Sequence, residues 1–191
     1  MSITAAIILG LATVALAYGV LVYNGLVSLK HNVAKAWANI DVLLKQRHDE
    51  LPKLVEVCRQ YKQFEESTLT RVTEARARVA QAREAHDVSA LGAAEGLLRA
   101  GLGQIFAVAE AYPELKANEH FMQLQTRITA LENGIADRRE WYNEAVNVHN
   151  VRIEQFPDLI IARMFGFDAQ ALLQFATAEK ADVDLKALFN A

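Results

Sequence analysis

The feature that most constrains this chain is an apolar run at its amino end that passes without a break into a charged helical repeat. No side chain from Ser2 to Leu29 is charged. The strongly apolar part, Ile3 to Val22, is about 20 residues, or roughly 30 Å as a helix, which matches a bilayer core. No proline precedes Pro52, and Gly19 and Gly25 stand alone. Ala15-Leu16-Ala17 has the A-x-A form that a signal peptidase could read. Three features count against cleavage. No Lys or Arg marks the amino end, the run continues through Val20, Leu21 and Val22, and Tyr18 and Tyr23 stand near its far end, where aromatic rings favour the membrane interface. The expectation is an uncleaved transmembrane anchor over residues 1–29. Lys30, Lys35, Lys45 and Arg47 follow it, so the positive-inside rule places the N-terminus outside and the C-terminal part in the cytosol. Asp41, Asp49 and Glu50 narrow that margin. Ala6/Gly10 and Ala15/Gly19 have the spacing that lets spans pack closely, although small residues are tolerated in any span.

Beyond the run, apolar residues recur at alternating steps of four and three: Val33, Trp37, Ile40, Leu44, then Arg47 where an apolar residue is due, then Leu51, Leu54, Cys58 and Tyr61. That is the seam of a helix packed on another helix. Pro52 falls within it and predicts a kink or short break near Glu50–Leu51. Small residues continue the spacing from Thr68 to Ala82. Arg71, Arg76, Arg78 and Arg83 alternate there with Glu65, Glu66, Glu74 and Glu84, which reads as a solvated, charge-paired face rather than a basic patch for RNA. His86–Ser89 reads as a turn, with Asp87 or Ser89 as the next cap. A glycine-rich helix follows, with Gly92, Gly96, Gly101 and Gly103 in it and a seam from Ala94 to Tyr112. Pro113–Asn118 is the connection, and Asn118 is the N-cap of a last long helix running from Phe121 to Phe156, whose seam Arg138, His149 and Arg152 interrupt.

The fold expected is all-α: an N-terminal transmembrane helix continuing into an antiparallel long-helix bundle, a kinked hairpin of about four helices over residues 30–156. Residues 157–191 form a membrane-proximal apolar segment and a C-terminal tail, with Leu172–Phe189 short and amphipathic or ragged. The hairpin brings Phe156–Phe167 back toward the span. That segment either dips Phe165 and Phe167 into the membrane interface beside Tyr18 and Tyr23 or packs on the base of the bundle.

Chemistry-bearing motifs are missing from the sequence. There is no phosphate-binding glycine loop, no dinucleotide fingerprint and no H-E-x-x-H. A single cysteine, Cys58, allows no internal disulfide, and no second His or Cys stands at ligand spacing from His149. No E-x-x-H occurs, so the di-iron pattern of helical bundles is unsupported. Glu110 and Glu114 flank Pro113 and read as helix-end residues. A net charge of −3 gives no reason to expect nucleic acid. The expectation is a protein without catalytic residues, cofactor or metal. Its expected partners are membrane lipid, further copies of itself and an unidentified protein. A secreted helical binding protein and an enzyme of unknown activity are the rival readings.

Three stretches resemble the LemA family of bacterial membrane proteins. They are Tyr23-Asn24-Gly25-Leu26-Val27 continuing to Ala36–Val42 and Leu51–Glu56; Ala109-Glu110-Ala111-Tyr112-Pro113-Glu114-Leu115-Lys116-Ala117-Asn118; and Tyr142-Asn143-Glu144-Ala145-Val146 continuing to Asn150 and Phe156-Pro157. The likeness runs from the span to about Phe167. It departs at Lys53, where the family often has Asn. The resemblance implies a single span, an antiparallel helical bundle and a bacterial cytoplasmic-membrane location. It implies no defined activity, and some relatives look like membrane-organising factors. The Tyr-Asn pairs suggest a polar layer of Asn24, Asn143 and Asn150 where the bundle meets the membrane, the alternative being that each faces solvent.

Overall fold

The computed structural model describes residues 2–61 and 65–175. These are all-α, with six helices and no strand among the described residues: α1 Ile3–Arg59, α2 Glu66–Glu84, α3 Val88–Glu110, α4 Pro113–Lys116, α5 Glu119–Glu154 and α6 Asp158–Phe165. Most of the expected Leu172–Phe189 tail, and all of it beyond Phe175, lies outside the described residues. The chain divides into two compact units. Of the described residues, one comprises 2–41 with 136–172, the other 42–61 and 65–135 with 173–175.

In the first unit the opening turns of α1 carry Ile3, Ile7, Ile8, Leu11, Val14 and Leu16, all exposed. A fully buried Leu gains roughly 1.5–3 kcal/mol from leaving water, so an uncovered apolar stretch of this length is unsuited to an aqueous surface. By length and composition α1 can cross a membrane. Burial begins at its carboxyl side. Val22 and Leu26 of α1, Ile153 of α5 and Ala162 of α6 make a small core, against which Ile161 and Phe167 pack.

In the second unit Leu44, Leu51, Leu54 and Cys58 of α1 are buried, as are Leu69, Val72 and Val79 of α2, Leu91, Leu98 and Ile105 of α3, and Phe121 and Ile128 of α5. The four-three spacing read from the sequence is therefore the buried stripe. Caps fall where short polar side chains permit. Asp87 accepts a bond from the Ala90 N–H at 2.9 Å, and Asn118 accepts one from the Phe121 N–H at 3.1 Å. The expected Pro113–Asn118 connection holds the single turn α4, with Pro113 in its first turn. On α3, a Cβ added to Gly101 would stand 2.8 Å from Val72 Cγ2, so this glycine lets α2 and α3 close together.

The break expected near Glu50–Leu51 is absent: α1 runs through Pro52 to Arg59. Proline has no N–H to give the carbonyl one turn back, which is that of His48. Arg76 of α2 supplies the missing donor. Its Nε donates to the His48 carbonyl at 3.0 Å, and its NH2 nitrogen lies 2.7 Å from His48 Nε2. α1 ends at Arg59 and α2 begins at Glu66. Arg76 therefore does not belong to a wholly solvated face.

Candidate membrane-contacting surface

Pro157 precedes α6, and Gly166 ends it in the left-handed region at φ 68°, letting the Phe167 N–H reach back to the Ala162 carbonyl at 2.9 Å. This reversal brings both Phe165 and Phe167 against Tyr23. The Tyr23 ring meets Phe165 edge-on at 4.8 Å and Phe167 at 5.9 Å between centroids. Three of the four expected interface aromatics are thus brought together. Tyr18 lies more than a turn earlier on α1, exposed.

The position of α6 along α1 matters more than the ring contacts. Ile161 Cδ1 lies 3.8 Å from where a Gly19 Cβ would be, and Ala162 packs with Val22 and Leu26. Gly19 is three residues, roughly 4.5 Å, inside the apolar run, and Leu26 is four residues, roughly 6 Å, beyond its end. The short helix thus straddles the level at which the apolar run gives out. Its outward side chains are Ile160 and Met164, one turn apart, with Phe165, and Phe156 just before it is 81% exposed. Arg163 is the one charged side chain exposed on α6.

Polar groups fix the chain around this helix. Buried Asp158 is paired with Arg152 of α5. Asn150 commits both ends of its amide to the backbone of Gln170, accepting from its N–H at 2.8 Å and donating to its carbonyl at 2.9 Å. Tyr142 O–H donates to the Ala171 carbonyl at 3.0 Å, and its ring stacks edge-on with Trp37 at 5.6 Å. Burial holds the Tyr142 phenol above its ordinary pKa. Asn24 is exposed on α1, and Asn143 is half-buried two turns before Asn150 on α5. His149 is buried, its Nδ1 3.3 Å from Asn150 Oδ1.

The second unit holds a buried ion group that the periodicity pointed to only at one position. Arg47, 1% exposed, bonds Glu95 of α3, 2% exposed, and reaches Glu132 of α5 at 2.5 Å. Arg99 adds a contact to Glu132 at 3.5 Å. Burial works to lower the Arg47 pKa, but Glu95 and Glu132 outweigh it and hold the guanidinium above its ordinary value. Burial raises the Glu95 carboxyl against the pull of Arg47. The Arg47 gap in the α1 seam was visible in the sequence. Glu95 is missed by the seam reading, although Leu91, Leu98 and Leu102 at its i−4, i+3 and i+7 positions mark it. With its members occupying one another, this group has the arrangement of a structural tie. Cys58 is likewise no nucleophile as placed, since burial pushes its thiol up to about 12. No cluster of three metal-ligating side chains occurs among the described residues.

The LemA family's sequence pattern matches residues 36–186. The chain belongs to the LemA family. Magnetosome protein MamQ 2 of Paramagnetospirillum magneticum is 23% identical over 191 residues, covering 88% of this chain and 70% of that protein. Protein LemA of Metamycoplasma hominis is 27% identical over 172 residues, covering 87% of this chain and 75% of its own length. Magnetosome protein MamQ of Magnetospirillum gryphiswaldense is 23% identical, covering 76% of this chain and 62% of the relative. The family match includes all of α2 to α6 and the part of α1 from Ala36 onward.

Proposed function

We propose that this LemA-family protein is a non-enzymatic, membrane-anchored helical scaffold that acts on the membrane or on partner proteins and associates with further copies of itself. The anchor is the apolar start of α1, and α6 is a second attachment lying in the interface of the same bilayer. The observation that carries the reading is the depth of α6. A helix packed against Gly19, Val22 and Leu26 sits at the edge of any bilayer that the Ile3–Val22 run crosses, and it presents Ile160, Met164 and Phe165 outward. Short helices with an apolar face and interfacial aromatics favour that depth. The charges at Lys30, Lys35 and Lys45 favour an orientation with the C-terminal part in the cytosol, and membership of the LemA family favours a bacterial cytoplasmic membrane.

The anchoring test is extraction. Membranes containing the full chain are washed at high salt and at alkaline pH, and sealed spheroplasts are treated with protease. Retention in the pellet and protection of the C-terminal part are expected. Release by either wash, or an N-terminal sequence beginning at Tyr18, would remove the anchor. Crosslinking in native membranes tests self-association: a ladder of multiples of the chain supports it, and a monomer band alone excludes it.

A further inference from the structure

On the α1–α5 face of the first unit lies a groove of about 510 Å3, beginning at Gly25 and bounded by Leu29, Val148 and Val151. Ser28, Asn147 and Gln155 supply polar edges, and Arg152 lines it as well. Gly25 is three residues beyond Val22, and Leu29 is seven. The groove therefore covers roughly 4–10 Å past the end of the apolar run, the level of phospholipid headgroups. On the membrane side its α1 wall continues into exposed Leu21 and Tyr18. Val148 and Val151 are exposed too, although a soluble helix would ordinarily cover such a pair.

We infer that this groove is a binding site for a membrane phospholipid, its headgroup lodged between α1 and α5 and its acyl chains running down the exposed face of the span. The inference rests on the membrane reading of α1. Depth selects the occupant: a groove continuous with a lipid-facing helix and opening at headgroup level meets lipid before it meets any soluble ligand. The chemistry agrees. Ser28, Asn147 and Gln155 carry donors that suit ester and phosphate oxygens, while Leu29, Val148 and Val151 suit the glycerol and upper methylenes. Arg152 is held by Asp158 through its Nε. Its side chain is still about half exposed, and a guanidinium has five N–H donors, so others remain for a phosphodiester. Because Asp158 already offsets the Arg152 charge, the site calls for a phospholipid in general and not for an anionic one alone. The volume lies within the 300–1,000 Å3 typical of small-molecule sites.

Gly25 offers a clean test. A Cβ there meets nothing within 4 Å, so Gly25→Leu projects its side chain into the groove without forcing the backbone. It also raises helix propensity. Gly10→Leu is the control, since Gly10 is equally open but lies within the span. The full chain and both variants are extracted from membranes in mild detergent and examined by native mass spectrometry for bound phospholipid. Wild type and Gly10→Leu should carry one phospholipid per chain through detergent exchange, and Gly25→Leu should carry at least tenfold less. Equal retention in all three, or none in wild type, would overturn the site. Fractionation is scored separately: a site failure leaves all three proteins in the membrane pellet, whereas failure of the membrane reading releases wild type itself.

Discussion

Replacing Arg47 by Met tests what holds the second unit together. The guanidinium is 1% exposed and bonds the carboxylates of Glu95 and Glu132, which are 2% and 14% exposed. Methionine fills similar volume, so little cavity cost is expected. The loss comes from Glu95, left buried without its cation beside a second carboxylate. Removing one partner of a buried pair typically costs about 3–5 kcal/mol. In a chain of this size that corresponds to a fall in Tm of roughly 6–20 °C. Replacing both charges with apolar residues, Arg47→Met with Glu95→Leu, removes the orphaned carboxylate and should recover most of the loss, to within about 1 kcal/mol of wild type. The assay is unfolding of the full chain in detergent micelles followed by far-UV circular dichroism, with the two single variants and the double variant closing a cycle. A single Arg47→Met loss below about 1 kcal/mol, or a double variant as unstable as the two single losses added together, would refute the assignment of this group as a buried tie.

Four other outcomes follow from the geometry. Arg76→Leu should cost about 1–3 kcal/mol, because it orphans the His48 carbonyl that Pro52 cannot serve, and amide exchange should quicken around residues 48–56 and not in α3. Burial, followed by the nearby Arg76 charge, holds the His48 imidazole below its ordinary 6.5. The unfolded chain therefore takes up a proton first as pH falls, so the His48 contribution is intact above 6.5 and is lost as pH drops through the lowered folded value. His48→Gln should flatten melting curves taken between those limits. Gly101→Ala, whose Cβ meets Val72 Cγ2 at 2.8 Å, should destabilise by about 1–3 kcal/mol. Gly103→Ala, which meets nothing within 4 Å, should stabilise by about 0.5–1 kcal/mol, as read by the same melts.

The all-α fold was legible because its signal is periodic: Leu44, Leu51, Leu54 and Cys58 are buried at the spacing read from the sequence. The caps at Asp87 and Asn118 were legible for a related reason, since a cap is a local hydrogen bond made by a short polar side chain. Of the kink or short break expected at Pro52, the break is absent because the consequence of a proline is not local. Whether a proline breaks a helix depends on who serves the orphaned carbonyl, and here the donor comes from Arg76, on another helix. Arg47 stood out as a gap in the α1 seam, but neither partner could be chosen without the packing of α3 and α5. The three-ring contact of Tyr23, Phe165 and Phe167 likewise needs the reversal at Gly166, a left-handed residue that marks a helix end without telling where the following chain goes.

The most direct test of the membrane attachment is the depth of α6. A nitroxide placed at Met164→Cys in a Cys58→Ser background reports its surroundings when the full chain is reconstituted in phospholipid bilayers. Met164 is exposed, and α6 packs at the level where the apolar run ends. Collisions with lipid-soluble oxygen should exceed those with a water-soluble nickel chelate at position 164, and the balance should reverse at an exposed position of the second unit such as Ala93→Cys. Nickel-dominated collisions at both positions would place α6 in water and contradict the account.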